Sequence, residues 1–216
     1  YMEMNKKYAI FDMDGTLVDS MPWWQGLAKE YLLKEGVEEI SPEVLEKIRP
    51  LTITESAVLF KEIYGIQGTP EEMAAKVNGL MAEHYKKDIP LKPGVREYLA
   101  GLKEQGVKMC VASATAEHLM EACLKRLGVR DDFEFLLSCE EVGAGKHSPD
   151  VYHLAAERLG AAPVDTAVYE DALHAVQTAK QAGFYVIGIY DESMEDKWKE
   201  ICALADEVIG NWEEEA

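Results

Sequence analysis

The chain has 216 residues, 48% of them hydrophobic and 29% charged, which excludes a disordered chain and suits one large domain or a domain carrying a smaller insertion. Its 22 Lys and Arg stand against 40 Asp and Glu, for a formal net charge of −18; this argues against a nucleic-acid partner and requires that any anionic substrate meet a local cation or a metal. No apolar run approaches the ~18 residues of a membrane span and no signal-peptide pattern is present, so no membrane partner is expected.

Four cysteines, Cys110, Cys123, Cys139 and Cys202, are widely spaced with no CxxC pair, and read as reduced, mostly buried thiols of a cytoplasmic protein. Tyr1 ahead of Met2 reads as a remnant of cloning rather than part of the fold.

In chain order, residues 7–12 (KYAIFD) read as a strand, short and apolar. Residues 21–88 then show no strand pattern. Helical spacing runs through 22–35, 42–49, 53–64 and 70–87, punctuated by Gly36, Ser41-Pro42, Pro50, Gly65 and Gly68–Pro70. Trp23 and Trp24 are expected in the core of this block. A helix over 93–105 opens at Pro93, a strand follows at 107–113, and a helix at 115–127. A helix over 149–159 opens at Pro149, a strand follows at 166–170, a helix at 172–182 stops at Gly183, and strands at 184–190 and 207–209 complete the pattern.

Uninterrupted apolar strands alternating with helices predict an α/β domain with a doubly wound, Rossmann-like parallel sheet. The strand-free stretch predicts an inserted helical bundle. The expected domains are therefore 1–20 with 89–216, and 21–88, with hinges near Asp19–Pro22 and Asp88–Pro93.

The chemistry gathers at strand ends. Asp12 and Asp14 follow the first apolar run, although aspartate is a poor strand former and two like charges at i and i+2 of a strand share a face. Ser113 ends the second strand, Glu170-Asp171 end the third, and Lys146 lies in the loop GAGKHSP. Open α/β sheets bind ligands beyond the carboxyl ends of their strands, so these groups converge on one edge. Acidic groups packed there repel one another, and a divalent cation with one lysine relieves this; carboxylate and carbonyl oxygens suit Mg²⁺.

Each motif alone has a plainer reading. An isolated DxD is more often a turn and helix cap. Ser113 alone reads as the N-cap of the helix at 115, and Glu170-Asp171 as a cap of the next helix. A P-loop at Lys146 fails, because Glu140 stands where glycine is needed and His147 where Ser or Thr is needed. The five histidines, His84, His118, His147, His153 and His174, show no metal-ligand spacing and read as surface or capping residues.

Taken together and in order, the motifs resemble those of the haloacid dehalogenase-like phosphotransferases. Asp12-x-Asp14-Gly15-Thr16 is similar to the first motif, Ser113 after KMCVA to the second, Lys146 in GKHSPDVY to the third (usually GKPxPDxF), and Glu170-Asp171 after TAVY to the fourth. The place of the helical insertion resembles the helical-cap subgroup that includes phosphoglycolate phosphatases and β-phosphoglucomutases.

The resemblance implies roles. Asp12 is the nucleophile that forms an aspartyl-phosphate, and Asp14 the general acid–base. Gly15, Ser113, Ala114 and Lys146 hold the phosphoryl group. Asp12, Asp14 and Asp171 bind Mg²⁺, with Glu170 ordering its waters. Trp24 and Arg49 are the candidate cap contacts to substrate.

Departures also count. The fourth motif usually runs EDSxxG, whereas alanine stands at 172 and 175 here. True haloacid dehalogenases lack the second aspartate of the first motif, so Asp14 counts against dehalogenation. β-Phosphoglucomutases tend to carry valine, histidine and arginine where this chain has Thr16, Trp24 and Ile53.

The expectation is a monomeric, Mg²⁺-dependent phosphatase of a small phosphorylated metabolite such as a sugar phosphate. The alternatives are a hexose-phosphate mutase and a non-catalytic phosphometabolite-binding protein. The pairing of Asp12 with Asp14 argues against the last, since binding alone needs no nucleophile beside a general acid.

Overall fold

Six short strands form one sheet in a computed structural model that describes residues 5–215; Tyr1 lies outside the described residues. They are β1 (Tyr8–Phe11), β2 (Lys108–Ser113), β3 (Leu136–Ser138), β4 (Thr166–Glu170), β5 (Tyr185–Ile189) and β6 (Glu207–Ile209). The order is β3-β2-β1-β4-β5-β6 and every pairing is parallel, with Ile10 opposite both Cys110 and Val168. This is the doubly wound arrangement that apolar, two-face-buried strands favour.

Both faces are covered. On one, Ile10, Cys110, Ala112, Val168 and Val186 pack with α8 (Asp150–Leu159), α9 (Leu173–Gln181) and α10 (Trp198–Leu204). The other carries a ring stack. Phe11 lies 4.1 Å from Tyr169, whose hydroxyl is 2.6 Å from that of Tyr98 on α5 (Val95–Glu104). Trp212, in a 3₁₀ turn after β6, stacks on Tyr169 and donates its Nε1–H to the Thr16 carbonyl at 3.1 Å. The remaining helices of this unit are α6 (Glu117–Arg126) and the single turn α7 (Cys139–Val142).

Contacts divide the chain into two compact units, one running up to Ser20 and resuming at Ile89, the other being Met21–Asp88. The second holds α1 (Met21–Lys34), α2 (Pro42–Ile48), α3 (Ile53–Tyr64) and α4 (Pro70–Lys87). Ser41, Thr52 and Thr69 cap the last three, Thr52 with Glu55 as a reciprocal capping box. Leu27, Tyr31, Leu32, Phe60, Met73, Val77, Met81 and Tyr85 form the bundle core.

Trp23 and Trp24 are not core residues. Trp24 is 37% exposed and its Nε1–H donates to Tyr85 Oη at 3.0 Å, while half-buried Trp23 rests on the His84 ring at 4.6 Å. The His84 ring nitrogens lie 2.7 Å from Glu30 and 2.8 Å from Asp88. Burial lowers the His84 pKa, but the two carboxylates outweigh it and hold the imidazole above its ordinary value.

The segments flanking the helical unit pair with each other within the sheet-bearing unit: Asp19 N–H donates to Pro90 O and Lys92 N–H to Leu17 O, each at 2.9 Å. Lys92 Nζ then lies 2.8 Å from buried Asp191.

Several boundaries differ from the sequence expectation. β3, α7 and α10 were not expected; β3 has three residues, too few for a periodicity, and exists through its pairing to Val111–Ser113. The helix expected from 115 opens at Glu117 with Ala116 as N-cap, because the Ser113 hydroxyl accepts the Thr115 N–H at 3.1 Å and holds a turn; Ser113 is thus not the helix cap. The fourth-motif pair does not cap α9 either, whose N-cap is Ala172. All four cysteines are free, with Cys202 exposed and the other three buried. Among the described residues no helix is long and apolar enough to cross a membrane.

Gly94 sets where α5 begins. Its φ is +92°, and a Cβ there would stand 2.6 Å from the backbone nitrogen of Glu213. Gly106 has a φ of +80° but open space around it. Gly106→Ala should cost about 1–2 kcal/mol, from left-handed backbone strain alone. Gly94→Ala should cost clearly more, because it must also displace the Trp212 turn; urea unfolding of both variants checks the ranking.

Candidate active site

β1 and β4 are neighbours, yet the chain winds away from them toward opposite edges of the sheet. A crevice opens beyond the carboxyl ends of the strands at such a switch point. Asp12 follows β1, and its N–H donates to the Tyr169 carbonyl at 3.0 Å, which extends the ladder to the rim. Glu170 ends β4 and Asp171 follows it. The register therefore delivers three carboxylates, those of Asp12, Glu170 and Asp171, to one spot, with oxygens within 4.8 Å of one another.

Lys146 answers them from the loop between α7 and α8. Its Nζ lies 2.7 Å from Asp12 Oδ1 and 2.6 Å from Glu170 Oε1, and the side chain is almost wholly buried. Tyr152 on α8 donates its hydroxyl to the same Glu170 oxygen at 2.6 Å. Thr16 Oγ1 donates to Asp171 at 2.9 Å and lies 3.5 Å from Asp12 Oδ2.

One ammonium cannot neutralise this group. Burial first, and then the Asp12 charge, push Glu170 up to about 8, against the opposing pull of Lys146 and Tyr152. Asp171 is driven well above the usual carboxylate range by burial and by Asp12. Burial alone would lower the Lys146 pKa, but the carboxylates of Asp12 and Glu170 outweigh it and hold it above the ordinary lysine value. A buried cluster of hard oxygen donors whose ionised form one lysine cannot balance fits a divalent cation of the Mg²⁺ or Ca²⁺ type.

Asp14 sits in a tight turn, in which the Gly15 N–H donates to Val18 O at 3.0 Å and the N–H groups of Thr16, Leu17 and Val18 all point to Met13 O. Its carboxylate accepts from Ser20 Oγ and from Thr115 Oγ1, each at 2.6 Å. Gly15 has a φ of +79°, and a Cβ on it would overlap the Asp171 carboxylate; glycine is required there to let the Asp14 turn close over the acidic cluster.

Ser113 is buried at the end of β2, and Ala114 beside it is exposed. The other two candidates, Trp24 and Arg49, belong to the helical unit. Arg49 is 76% exposed and pairs with Glu46 at 2.9 Å.

Sequence reasoning missed Tyr152, Ser20 and Thr115. Tyr152 carried a signal: it stands where GKPxPDxF has phenylalanine, and the added hydroxyl reaches Glu170. Ser20 and Thr115 carried none, since their contacts to Asp14 arise only from the folded loops. His147 and His174, read as surface residues, are both exposed, and their rings stack 4.4 Å apart.

The chain is similar to known proteins over nearly its whole length. It matches the haloacid dehalogenase-like hydrolase family over residues 9–189. Hexitol phosphatase B of Escherichia coli (strain K12) is 33% identical over 175 residues, covering 81% of this chain and 79% of that protein. Beta-phosphoglucomutase of Bacillus subtilis (strain 168) is 27% identical over 191 residues, covering 85% and 83%. The crystal structure of CbbY from Rhodobacter sphaeroides in complex with phosphate superposes with a TM-score of 0.75 at 24% identity, covering 97% of this chain and 96% of that one, a likeness of fold. The strand order, the carboxylates that it gathers and the extent of the match lead to one assignment: this chain belongs to the haloacid dehalogenase-like hydrolase family.

Proposed function

We propose that the protein is a Mg²⁺-dependent phosphatase of small phosphorylated metabolites, working through an aspartyl-phosphate on Asp12, with Met21–Asp88 serving as its cap. The observation that carries the reading is the Asp12 carboxylate, bound by Lys146 at the rim of the switch-point crevice, with Asp14 two residues on in a turn held by hydroxyls.

In the first step an Asp12 oxygen attacks phosphorus and the bond to the leaving oxygen breaks, while Asp14 gives that oxygen a proton. In the second, water attacks the same phosphorus, Asp14 takes its proton, and the bond to Asp12 breaks. Ser113, the backbone of Ala114 and Gly15, and Lys146 hold the phosphoryl oxygens, and Lys146 offsets charge as transfer proceeds. Asp12, the Asp14 carbonyl and Asp171 would hold Mg²⁺, with Glu170 ordering its waters. Bound there, the ion supplies charge neutralisation that lets a carboxylate approach a phosphate dianion. The Ser20 and Thr115 hydroxyls orient the Asp14 carboxylate for both proton transfers.

The named activities of the relatives, a hexitol phosphatase and a phosphoglucomutase, support a sugar-phosphate class of substrate. Mutase chemistry requires a grip on a second phosphate. Arg49, the cation nearest the expected position in sequence, is exposed and paired with Glu46, and this favours hydrolysis.

A phosphate-release screen over hexitol phosphates, hexose phosphates and phosphoglycolate with Mg²⁺ tests the assignment, and inactivity on every phosphomonoester would reject it. Asp12→Asn should abolish turnover with the fold intact, and Asp14→Asn should lower it by about 10²–10⁴-fold; appreciable Asp12→Asn turnover would refute the covalent route.

The acidic cluster also makes a prediction in the absence of substrate. Glu170, raised to about 8, and Asp171, raised in the same direction, contribute stability that is fully present below the ordinary carboxylate pKa and is lost as pH rises through the folded value. Mg²⁺ should therefore raise Tm more at about pH 8 than at about pH 5.5; at a pH where it stands at a hundredfold excess over Kd the stabilisation is about 2.7 kcal/mol. A Tm unmoved by Mg²⁺ at both pH values removes the ion from the scheme.

With β-glucose 1-phosphate and the 1,6-bisphosphate present, free phosphate should appear faster than glucose 6-phosphate in a dehydrogenase-coupled assay. The reverse order would establish a mutase.

A further inference from the structure

Tyr152 touches the acidic cluster, yet no step of the proposed chemistry uses it. It lies on α8, wholly buried, with its ring in the apolar layer beneath the sheet. Its hydroxyl donates to Glu170 Oε1 at 2.6 Å. The same oxygen accepts from Lys146 Nζ, also at 2.6 Å. The ammonium stands 5.7 Å from the centre of the Tyr152 ring, so lysine and tyrosine reach Glu170 side by side.

A count of donors and acceptors shows what the hydroxyl does there. An ammonium has three N–H donors, and a carboxylate oxygen has room for two. Lys146 gives one N–H to Asp12 Oδ1 at 2.7 Å and one to Glu170 Oε1, and its third has no acceptor among the described residues. Glu170 Oε1 is filled by the lysine on one side and the phenol on the other. Without the phenol, a buried carboxylate oxygen would be left short of a donor, which is costly, and the lysine is the charged donor at hand to answer it.

We infer that Tyr152 is a positioning residue: by completing Glu170 Oε1 it keeps Lys146 shared between Glu170 and Asp12, with the third N–H of the ammonium left for a phosphoryl oxygen. Tyr152 acts through Lys146 and meets neither substrate nor reacting atoms. The third motif of the family usually has phenylalanine at this place, so the hydroxyl is a feature of this chain that tunes the grip on phosphate. This role rests on the phosphatase reading in one respect, that a phosphoryl group is the third partner of the lysine.

Tyr152→Phe removes one oxygen and keeps the ring. In a crystal structure of the variant, Lys146 Nζ should turn onto Glu170 and leave hydrogen-bond reach of Asp12. The dissociation constant of inorganic phosphate, measured by calorimetry with Mg²⁺ present, should rise about tenfold, the scale of one charge-assisted hydrogen bond. KM for a phosphomonoester should rise by a similar factor while kcat stays within about threefold, because the bond lost is one made alike before and during transfer. A variant that merely loosened the fold would lower Tm and kcat and leave phosphate affinity where it was. The wild type supplies a check that needs no substitution: in crystals soaked with phosphate, one phosphate oxygen should lie within hydrogen-bond distance of Lys146 Nζ, with the bond from Tyr152 to Glu170 intact.

A lysine that keeps both carboxylates in Tyr152→Phe, a phosphate affinity that the substitution leaves unchanged, or a wild-type phosphate out of reach of Lys146 would each overturn the proposal. The phosphatase reading fails separately, on wild-type protein that binds phosphate and hydrolyses no phosphomonoester. In that case the crystal structures and the phosphate titrations still decide the role of Tyr152.

Discussion

Three carboxylates and one ammonium share a volume too small for their charges, and much of the sheet-bearing unit is arranged around that fact. Asp12, Glu170 and Asp171 reach one another because β1 and β4 are paired in parallel register and end at the same rim. Lys146 is drawn between Asp12 and Glu170 from a loop with no secondary structure of its own. In a low-dielectric rim the attraction between lysine and carboxylates is strong, but so is the repulsion that it leaves uncompensated. An apolar core alone would never gather these groups; the strand ladders hold them together against their own electrostatics.

Tyr152 shows how closely core and site are joined. Its ring packs in the apolar layer of α8, 6.1 Å from Phe184, while its hydroxyl ends on Glu170. A side chain that is core at one end and ligand at the other makes the position of Glu170 depend on the packing of the helix layer. On the opposite face Tyr169 does similar work, stacked on Phe11 and tied to Tyr98. The strand that delivers the carboxylates is thus gripped by aromatic rings from both sides.

Much of this was legible in the sequence, for physical reasons. β1, β2, β4 and β5 are apolar on both faces and announce themselves by uninterrupted hydrophobic runs, and the four helices of the second unit carry clear caps and breaks. Polar residues directly after such runs, as at Asp12 and Asp171, mark strand ends where a crevice can form. β3 was not legible, since its three residues are defined by a partner strand rather than by pattern. Trp24 was misread because hydrophobicity does not reveal which side of a helix lies against its neighbours; here the indole donates to Tyr85 at the bundle surface. The hydroxyls of Ser20 and Thr115 are common residues in unremarked positions, and only the closed turn brings both to Asp14.

The hydrogen bond from Trp212 to the Thr16 carbonyl joins residues 196 positions apart. Thr16 belongs to the turn that follows Asp14, so this turn is seated by a side chain from beyond the last strand of the sheet. During synthesis on the ribosome Thr16 emerges long before Trp212. The turn can close on its own backbone bonds to Met13 O, but it lacks the Trp212 bond until that residue has left the exit tunnel. The Asp14 turn therefore gains its last side-chain support only after β6 has been made.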